Sequence, residues 1–211
     1  MEITWLGHSS FFIEDSKGRK ILTDPFDETV GYALYRGKPD IVTISHHHFD
    51  HDYVALIPQN VQKLDSPGVF DIYGIKITGI STFHDKSKGS KRGRNTIFIM
   101  EADGYRICHL GDLGYVLSPS EIESLGKIDI LMIPVGGVFT IDAAEAEALS
   151  KAIGSHIILP MHYKTPALNF ELSGAEAFLS RMGDSEKTGS NKLTLNGVLK
   201  GSNQVKVLRY K

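Results

Sequence analysis

Apolar residues recur in short runs along the first two thirds of the chain: Ser10–Ile13, Lys20–Leu22, Ile41–Ile44, Ile75–Ile80, Thr96–Met100 and Tyr105–Leu110. Each run is bounded by Gly, Pro, Asp or Ser, the residues that punctuate strands. Runs 41–44 and 96–100 are apolar on both faces, so they predict central strands and layers of cover outside the sheets. Helical signals come later. Asp142-Ala-Ala-Glu145 and Ser173-Gly-Ala-Glu176 have the spacing of capping boxes, and the helices they open are expected to close at Gly154 and Gly183. A shorter helix is expected after Asp52, stopping before Pro58. Asp184–Ser190 reads as a surface loop and Gln204–Leu208 as a last strand.

A faint internal echo accompanies this pattern. Phe12-Ile-Glu-Asp-Ser-Lys-Gly18-Arg-Lys-Ile21 resembles Phe98-Ile-Met-Glu-Ala-Asp-Gly104-Tyr-Arg-Ile107. Both read as hairpins, and Asp103-Gly104 suits a tight turn with positive φ. Each runs on toward an aspartate, at 24 and at 112, as two similar sheet halves would.

Composition narrows the class. With 211 residues, 41% hydrophobic and 23% charged, the chain can bury a sizeable core, and no linker divides it, so one domain over 1–211 is expected. The formal charge of −2 supplies no global positive field for nucleic acid or an anionic membrane. The N-terminus lacks a basic segment followed by an apolar stretch, and no apolar run reaches membrane-spanning length. The expectation is a soluble, cytoplasmic protein. Cys108, alone and in an apolar strand, is expected in the core rather than as a nucleophile.

Nine histidines are present, and four of them stand between 46 and 51. Ser45-His46-His47-His48-Phe49-Asp50-His51-Asp52 contains H-x-H-x-D-H. In extended backbone His46 and His48 point the same way and can close on one ion, while adjacent Asp50 and His51 can turn to a second. Imidazole with carboxylate suits a catalytic metal site better than an all-sulfur structural one. A purification tag would be terminal and uniform, and this cluster is neither. Further candidates follow apolar strands: His84, Asp112 within Leu110-Gly-Asp-Leu-Gly114, and His162 within Pro160-Met-His-Tyr163.

These motifs, with Trp5-Leu-Gly-His-Ser-Ser-Phe11, Thr23-Asp-Pro25 and Pro134-Val-Gly-Gly137, resemble the metallo-β-lactamase fold hydrolases. The nearest branch in pattern contains ascorbate-phosphate lactonases and N-acyl-phosphatidylethanolamine phospholipase D. The resemblance implies an α+β fold, an αβ/βα sandwich of two mixed β-sheets with helices on the outer faces. It implies two divalent ions, zinc first, with manganese, iron or nickel as alternatives. His46, His48 and His84 would hold one, Asp50, His51 and His162 the other, with Asp112 bridging. It also marks Asp50 and Asp112 as catalytic carboxylates and implies hydrolysis by a metal-bridging hydroxide.

Residues discriminate among the reactions of that family. His48 stands where the flavodiiron proteins carry Glu, and Asp112 where true zinc β-lactamases commonly carry Cys. Members that cut nucleic acid usually add a domain or arm that 211 residues leave no room for. A small ester, lactone or phosphodiester remains. The segment Asp85–Arg94 holds five basic residues directly after His84, and Lys91, Arg92 and Arg94 are candidates for clamping a phosphate in a mobile loop. A solvated surface loop is the other reading. His8 is a candidate metal-site or substrate contact, and Asp24 a candidate for holding a ligand histidine in its tautomer. His47, His109 and His156 read as structural. The rival function is a non-catalytic metal-binding or sensing module. Oligomeric state is left open.

Overall fold

A computed structural model describes residues 1–210. The strands are β1 (Glu2–Gly7), β2 (Ser10–Glu14), β3 (Lys20–Thr23), β4 (Ile41–Thr43), β5 (Gln62–Leu64), β6 (Gly68–Ile72), β7 (Ile75–Phe83), β8 (Arg94–Ala102), β9 (Tyr105–His109), β10 (Ile130–Pro134), β11 (Ile157–Met161), β12 (Ser185–Lys187), β13 (Lys192–Thr194) and β14 (Gln204–Val207). They form a six-stranded sheet in the order β13-β1-β2-β3-β4-β5 and an eight-stranded sheet in the order β12-β14-β11-β10-β9-β8-β7-β6. Both are mixed. In each, two antiparallel pairings (β1–β2–β3, β7–β8–β9) lead into two parallel ones (β3–β4–β5, β9–β10–β11). The echo between residues 12–21 and 98–107 is therefore a repeat of strand plan. Its second turn has Asp103 at φ 52° and Gly104 at φ 80°, as a tight hairpin requires.

One core joins the sheets. Ile3, Trp5, Phe11 and Ile13 from the first pack with Ile77, Phe98, Met100, Ile130 and Met132 from the second. The helices are α1 (Pro119–Leu125), α2 (Ala143–Ile153) and α3 (Glu176–Met182). Asp142 caps α2 by accepting from the Ala144 and Glu145 N–H groups, and Gly154 ends it in the left-handed region. Helix α2 packs on β10 and α3 packs on α2. This is the expected sandwich of mixed sheets and helices.

Several local expectations are corrected. No helix follows Asp52. The segment up to Pro58 is too short to propagate one, and its Tyr53 N–H donates to Pro25 O. Val54, Ile57 and Val61 instead cover Leu22, Val42 and Ile44 on the outer face of the six-stranded sheet. Ser173 caps nothing: its N–H is donated to Gly136 O and its carbonyl accepts from Lys164, so α3 starts later, behind Ala175. Residues 185–187 are an edge strand rather than loop. Helix α1 was not anticipated, although Ser118-Pro-Ser-Glu121 forms a full capping box. No described helix is long and apolar enough to cross a membrane.

Candidate metal centre

Strands β3 and β4 run parallel, as do β9, β10 and β11, so their C-terminal exits gather at one end of the sandwich. Asp24 leaves β3, residues 45–51 follow β4, Asp112 follows β9 and His162 leaves β11. His84 comes off β7, and His8 sits in the turn between β1 and β2. His8, Asp24 and His162 have φ of 50°, 40° and 52°, a left-handed conformation that costs energy in residues with a Cβ and gathers at functional sites. Trp5 holds one of these turns, since its Nε1 donates to His8 O.

Three overlapping groups of ligand atoms result, each within 4.8 Å: His46, His48 and His84; His8, Asp50, His51 and His162; and His46, His51 and Asp112. Asp112 stands at the junction. Its Oδ2 is 3.0 Å from His162 Nε2 and 3.3 Å from His84 Nε2, and its Oδ1 is 3.3 Å from His51 Nε2.

A hydrogen-bond relay fixes two of these imidazoles. Asp24, wholly buried, accepts from His51 Nδ1 at 2.8 Å and from Ser45 Oγ at 2.6 Å. Ser45 Oγ, having given its proton to Asp24, accepts from His46 Nδ1 at 2.9 Å. Each ring therefore carries a proton on Nδ1, and Nε2 of His46 and of His51 is turned toward the cluster. Among the described residues, His46 Nε2, His51 Nε2, His162 Nε2 and Asp112 Oδ1 are buried without hydrogen-bond partners. Orphaned buried acceptors are costly, and so many in one place fit divalent cations, which take imidazole nitrogen and carboxylate oxygen.

Electrostatics divide the set: burial opposes protonation of His51, but Asp112 and Asp50 outweigh it and hold that imidazole well above its ordinary value, so a bound ion would displace its second proton, whereas the others are ready to ligate. Burial, with His51 beside it, pushes the His46 imidazole down to about 2, so it is neutral with its lone pair available. Burial and the neighbouring His162 push His8 down to about 4. Burial opposes ionisation of Asp112, but His162 and His51 outweigh it and hold the carboxyl well below the usual carboxylate range. Asp50 is ionised on the same balance, through His51 and His8. Cys108, pushed up to about 12 by burial, stays a thiol in the core.

The Asp112 turn is built tightly. Asn95 Oδ1 accepts from the Asp112 N–H at 2.9 Å while Asn95 Nδ2 donates to Leu110 O. A Cβ on Gly111 would lie 2.3 Å from Asn95 Oδ1, and one on Gly114 would lie 2.3 Å from the His84 carbonyl carbon.

Residues 2–162 match the family described as β-lactamase superfamily domain. The chain belongs to that family. Its superfamily relatives include a UPF0173 protein of Pyrococcus furiosus, 31% identical over 182 residues, spanning 78% of this chain and 84% of that one. A UPF0173 metal-dependent hydrolase of Methanoculleus marisnigri is 28% identical over 205 residues, 86% of this chain and 89% of its own. A solved metallo-β-lactamase superfamily structure from Thermotoga maritima is 39% identical, covers 98% of this chain and 97% of that chain, and superposes with a TM-score of 0.83.

All seven ligand candidates of this superfamily member meet at the centre, and His8 joins them, its Nε2 donating to Asp50 Oδ2 at 3.1 Å. His47 points out toward Asp52 and Asp65. His109 donates from Nε2 to Ser9 O and accepts from the Gly111 N–H at Nδ1, a structural pairing. Ser45 and Asn95 were not anticipated. A polar residue at the mouth of each apolar run, before His46 and before Thr96, is the signal that marks them. Also unanticipated are Phe49, Phe139 and Phe170, which wall a cavity of about 510 Å³ over His48, Asp50, His84 and Asp112. The 85–94 segment is organised by Asp85, whose carboxylate accepts from the N–H groups of Ser87, Gly89, Lys91 and Arg92. Arg92 lines the cavity, whereas Lys91 does not.

Proposed function

We propose that this chain is a binuclear metal-dependent hydrolase of a small ester, lactone or phosphodiester. His46, His48 and His84 hold one divalent ion, Asp50, His51 and His162 the other, and Asp112 lies between them. The observation that carries this reading is the convergence of unpartnered, buried Nε2 and Oδ atoms on Asp112. Bound there, two ions supply an activated water and a Lewis acid for the polarised oxygen of the scissile bond.

The protein's own residues do the rest. Asp24, directly and through Ser45, holds His51 and His46 in the tautomers that present Nε2. Asp50 and Asp112 offset the positive charge, and His8 orients Asp50 through its 3.1 Å hydrogen bond. Phe49, Phe139 and Phe170 exclude water from one side of the cavity and give a substrate an apolar wall. The Methanoculleus relative carries the name metal-dependent hydrolase, and zinc-dependent hydrolysis has been suggested for the Thermotoga protein, both in keeping with this reading.

The test joins metal analysis to turnover. About two ions per chain are expected, with zinc, manganese, iron and nickel compared, together with hydrolysis of esters, lactones and bis-nitrophenyl phosphate. His48→Ala serves as the blank. Fewer than one tightly bound ion per chain, or no turnover by the metal-loaded protein, would favour a binding module instead.

A further inference from the structure

The aromatic cavity has a neighbour. A second cavity of about 390 Å³ opens on the other side of Arg92, lined by Ser81, Arg94, His47 and Asp65. His47, His48 and Arg92 line both. The two spaces therefore meet at Arg92, beside the histidines of the metal centre.

Arg92 is placed there by two independent restraints. Its backbone N–H donates to Asp85 Oδ2 at 2.8 Å, which fixes the segment immediately after His84. Its guanidinium lies 5.1 Å from the centroid of the Phe139 ring, a cation–π arrangement that orients the planar fork. Among the described residues neither Arg92 nor Arg94 is ion-paired; the Arg94 guanidinium donates to Ser81 Oγ at 3.5 Å. Lys86, by contrast, is spent on Glu145 at 2.5 Å. A guanidinium carried on a built loop, stacked on an aromatic face and left without a carboxylate, has its N–H donors free for an anionic oxygen pair. Phe49 and Phe170, whose ring centroids are 6.3 Å apart, add apolar lining to the same cavity. Phe170 is held in it by Lys164, whose Nζ donates to the carbonyls of Leu168 and Phe170.

We infer that Arg92 is the specificity-determining residue of this site, recognising a carboxylate or phosphate group on a substrate whose apolar body lies against Phe139 and Phe170. This rests on the hydrolase reading for what happens to the substrate, and not for whether it binds. The anionic group is separate from the scissile bond: it reaches Arg92 while the reacting atoms lie over His48, Asp50, His84 and Asp112.

The test measures binding by calorimetry on zinc-loaded full-length protein with three probes of one shape: 4-phenylbutyrate, 4-phenylbutyl phosphate and the neutral 4-phenylbutanol. The wild type is expected to bind the two anions at least about tenfold more tightly than the alcohol, a difference near 1.4 kcal/mol. Arg92→Gln should lose that advantage for one or both anions, and which one it loses tells carboxylate from phosphate. Arg92→Lys, keeping charge without the fork, should recover part of it. Lys91→Gln makes the same charge change one residue away, outside both cavities, and should leave all three affinities within about twofold. Melting curves check that each variant is folded. Unchanged anion binding in Arg92→Gln, an equal loss for all three probes, or an equal loss in Lys91→Gln would overturn the inference. Because no turnover is needed, a protein that binds the anions through Arg92 yet hydrolyses nothing would sink the hydrolase reading alone.

Discussion

Strands β1–β5 and β7–β11 follow one pairing plan, and the second hairpin strand of each hands the chain to a buried aspartate, yet Asp24 and Asp112 end in different chemical surroundings. Asp24 comes three residues after Ile21, and Asp112 five residues after the matching Ile107. That small offset is decisive. Asp24 stops behind the histidine segment and is spent on Ser45 and His51. Asp112 is carried further by Gly111, clamped by Asn95, and delivered among His51, His84 and His162 with Oδ1 unpartnered. The same strand plan thus makes one carboxylate that orients the histidines and one that faces the cluster of candidate ligand atoms. Pairing geometry fixes where a strand exits, and the residues just beyond it decide what the exit does.

Breaking that difference is most direct at Asp112. Asp112→Ala is expected to abolish turnover and remove at least one ion per chain by metal analysis, a loss beyond the ~100-fold that an outer partner supplies. Wild-type metal content in this variant would return Asp112 to a structural role. Asp24→Asn comes next, because both carboxylate oxygens accept, Oδ2 from His51 Nδ1 and Ser45 Oγ and Oδ1 from the Ser45 N–H, and a carboxamide turns one of these two acceptors into a donor. Metal affinity or kcat should fall by about 10–100-fold without loss of the fold. Equal damage from the two substitutions would erase the contrast drawn here.

Acid sensitivity sharpens it further. His8, held at about 4, has a folded value below its ordinary 6.5, so the unfolded chain takes up the proton first. Its contribution to stability is complete above 6.5 and is lost as pH falls from 6.5 toward 4. Asp24, held below its ordinary 3.8, extends the loss beneath that value. His51, held well above its ordinary value, has the opposite sign: its contribution is present below 6.5 and is lost as pH rises through the raised value. Thermal melts of chelator-treated protein should show His8→Gln flattening the slope between 6.5 and 4; a slope like that of the wild type would remove His8 as its source. The smallest effect is expected where the two hairpin turns touch. Ser16 of the first donates from N and Oγ to Asp103 of the second, both at 2.7 Å, in an exposed position. Ser16→Ala should change stability by no more than about 0.5 kcal/mol and leave metal content untouched.

Much of the site was legible in the chain because metal ligation demands particular side chains at particular spacings. H-x-H-x-D-H after an apolar run could be read residue by residue, and His84, Asp112 and His162 stood out at the ends of further apolar runs. Helix α2 was equally plain, since its cap is local. Where a segment's partners lie far away, the local signal failed. Ser173 looks like a cap until Gly136 and Lys164 take its backbone, and the stretch from Asp52 to Pro58 looks helical until the open face around Val42 takes its side chains.

By itself, then, the sequence determined the strands of the two hairpins, the capped helix and the identity of the candidate ligand residues, all properties of neighbours along the chain. Only the tertiary structure decided that Asp24 supports while Asp112 faces the cluster, that Asn95 and Ser45 set their partners, and that Arg92 rather than Lys91 looks into the cavity. Those distinctions depend on which strand exits lie side by side and on where loops come to rest against aromatic rings. Contacts between residues dozens of positions apart leave no period in the sequence to be read.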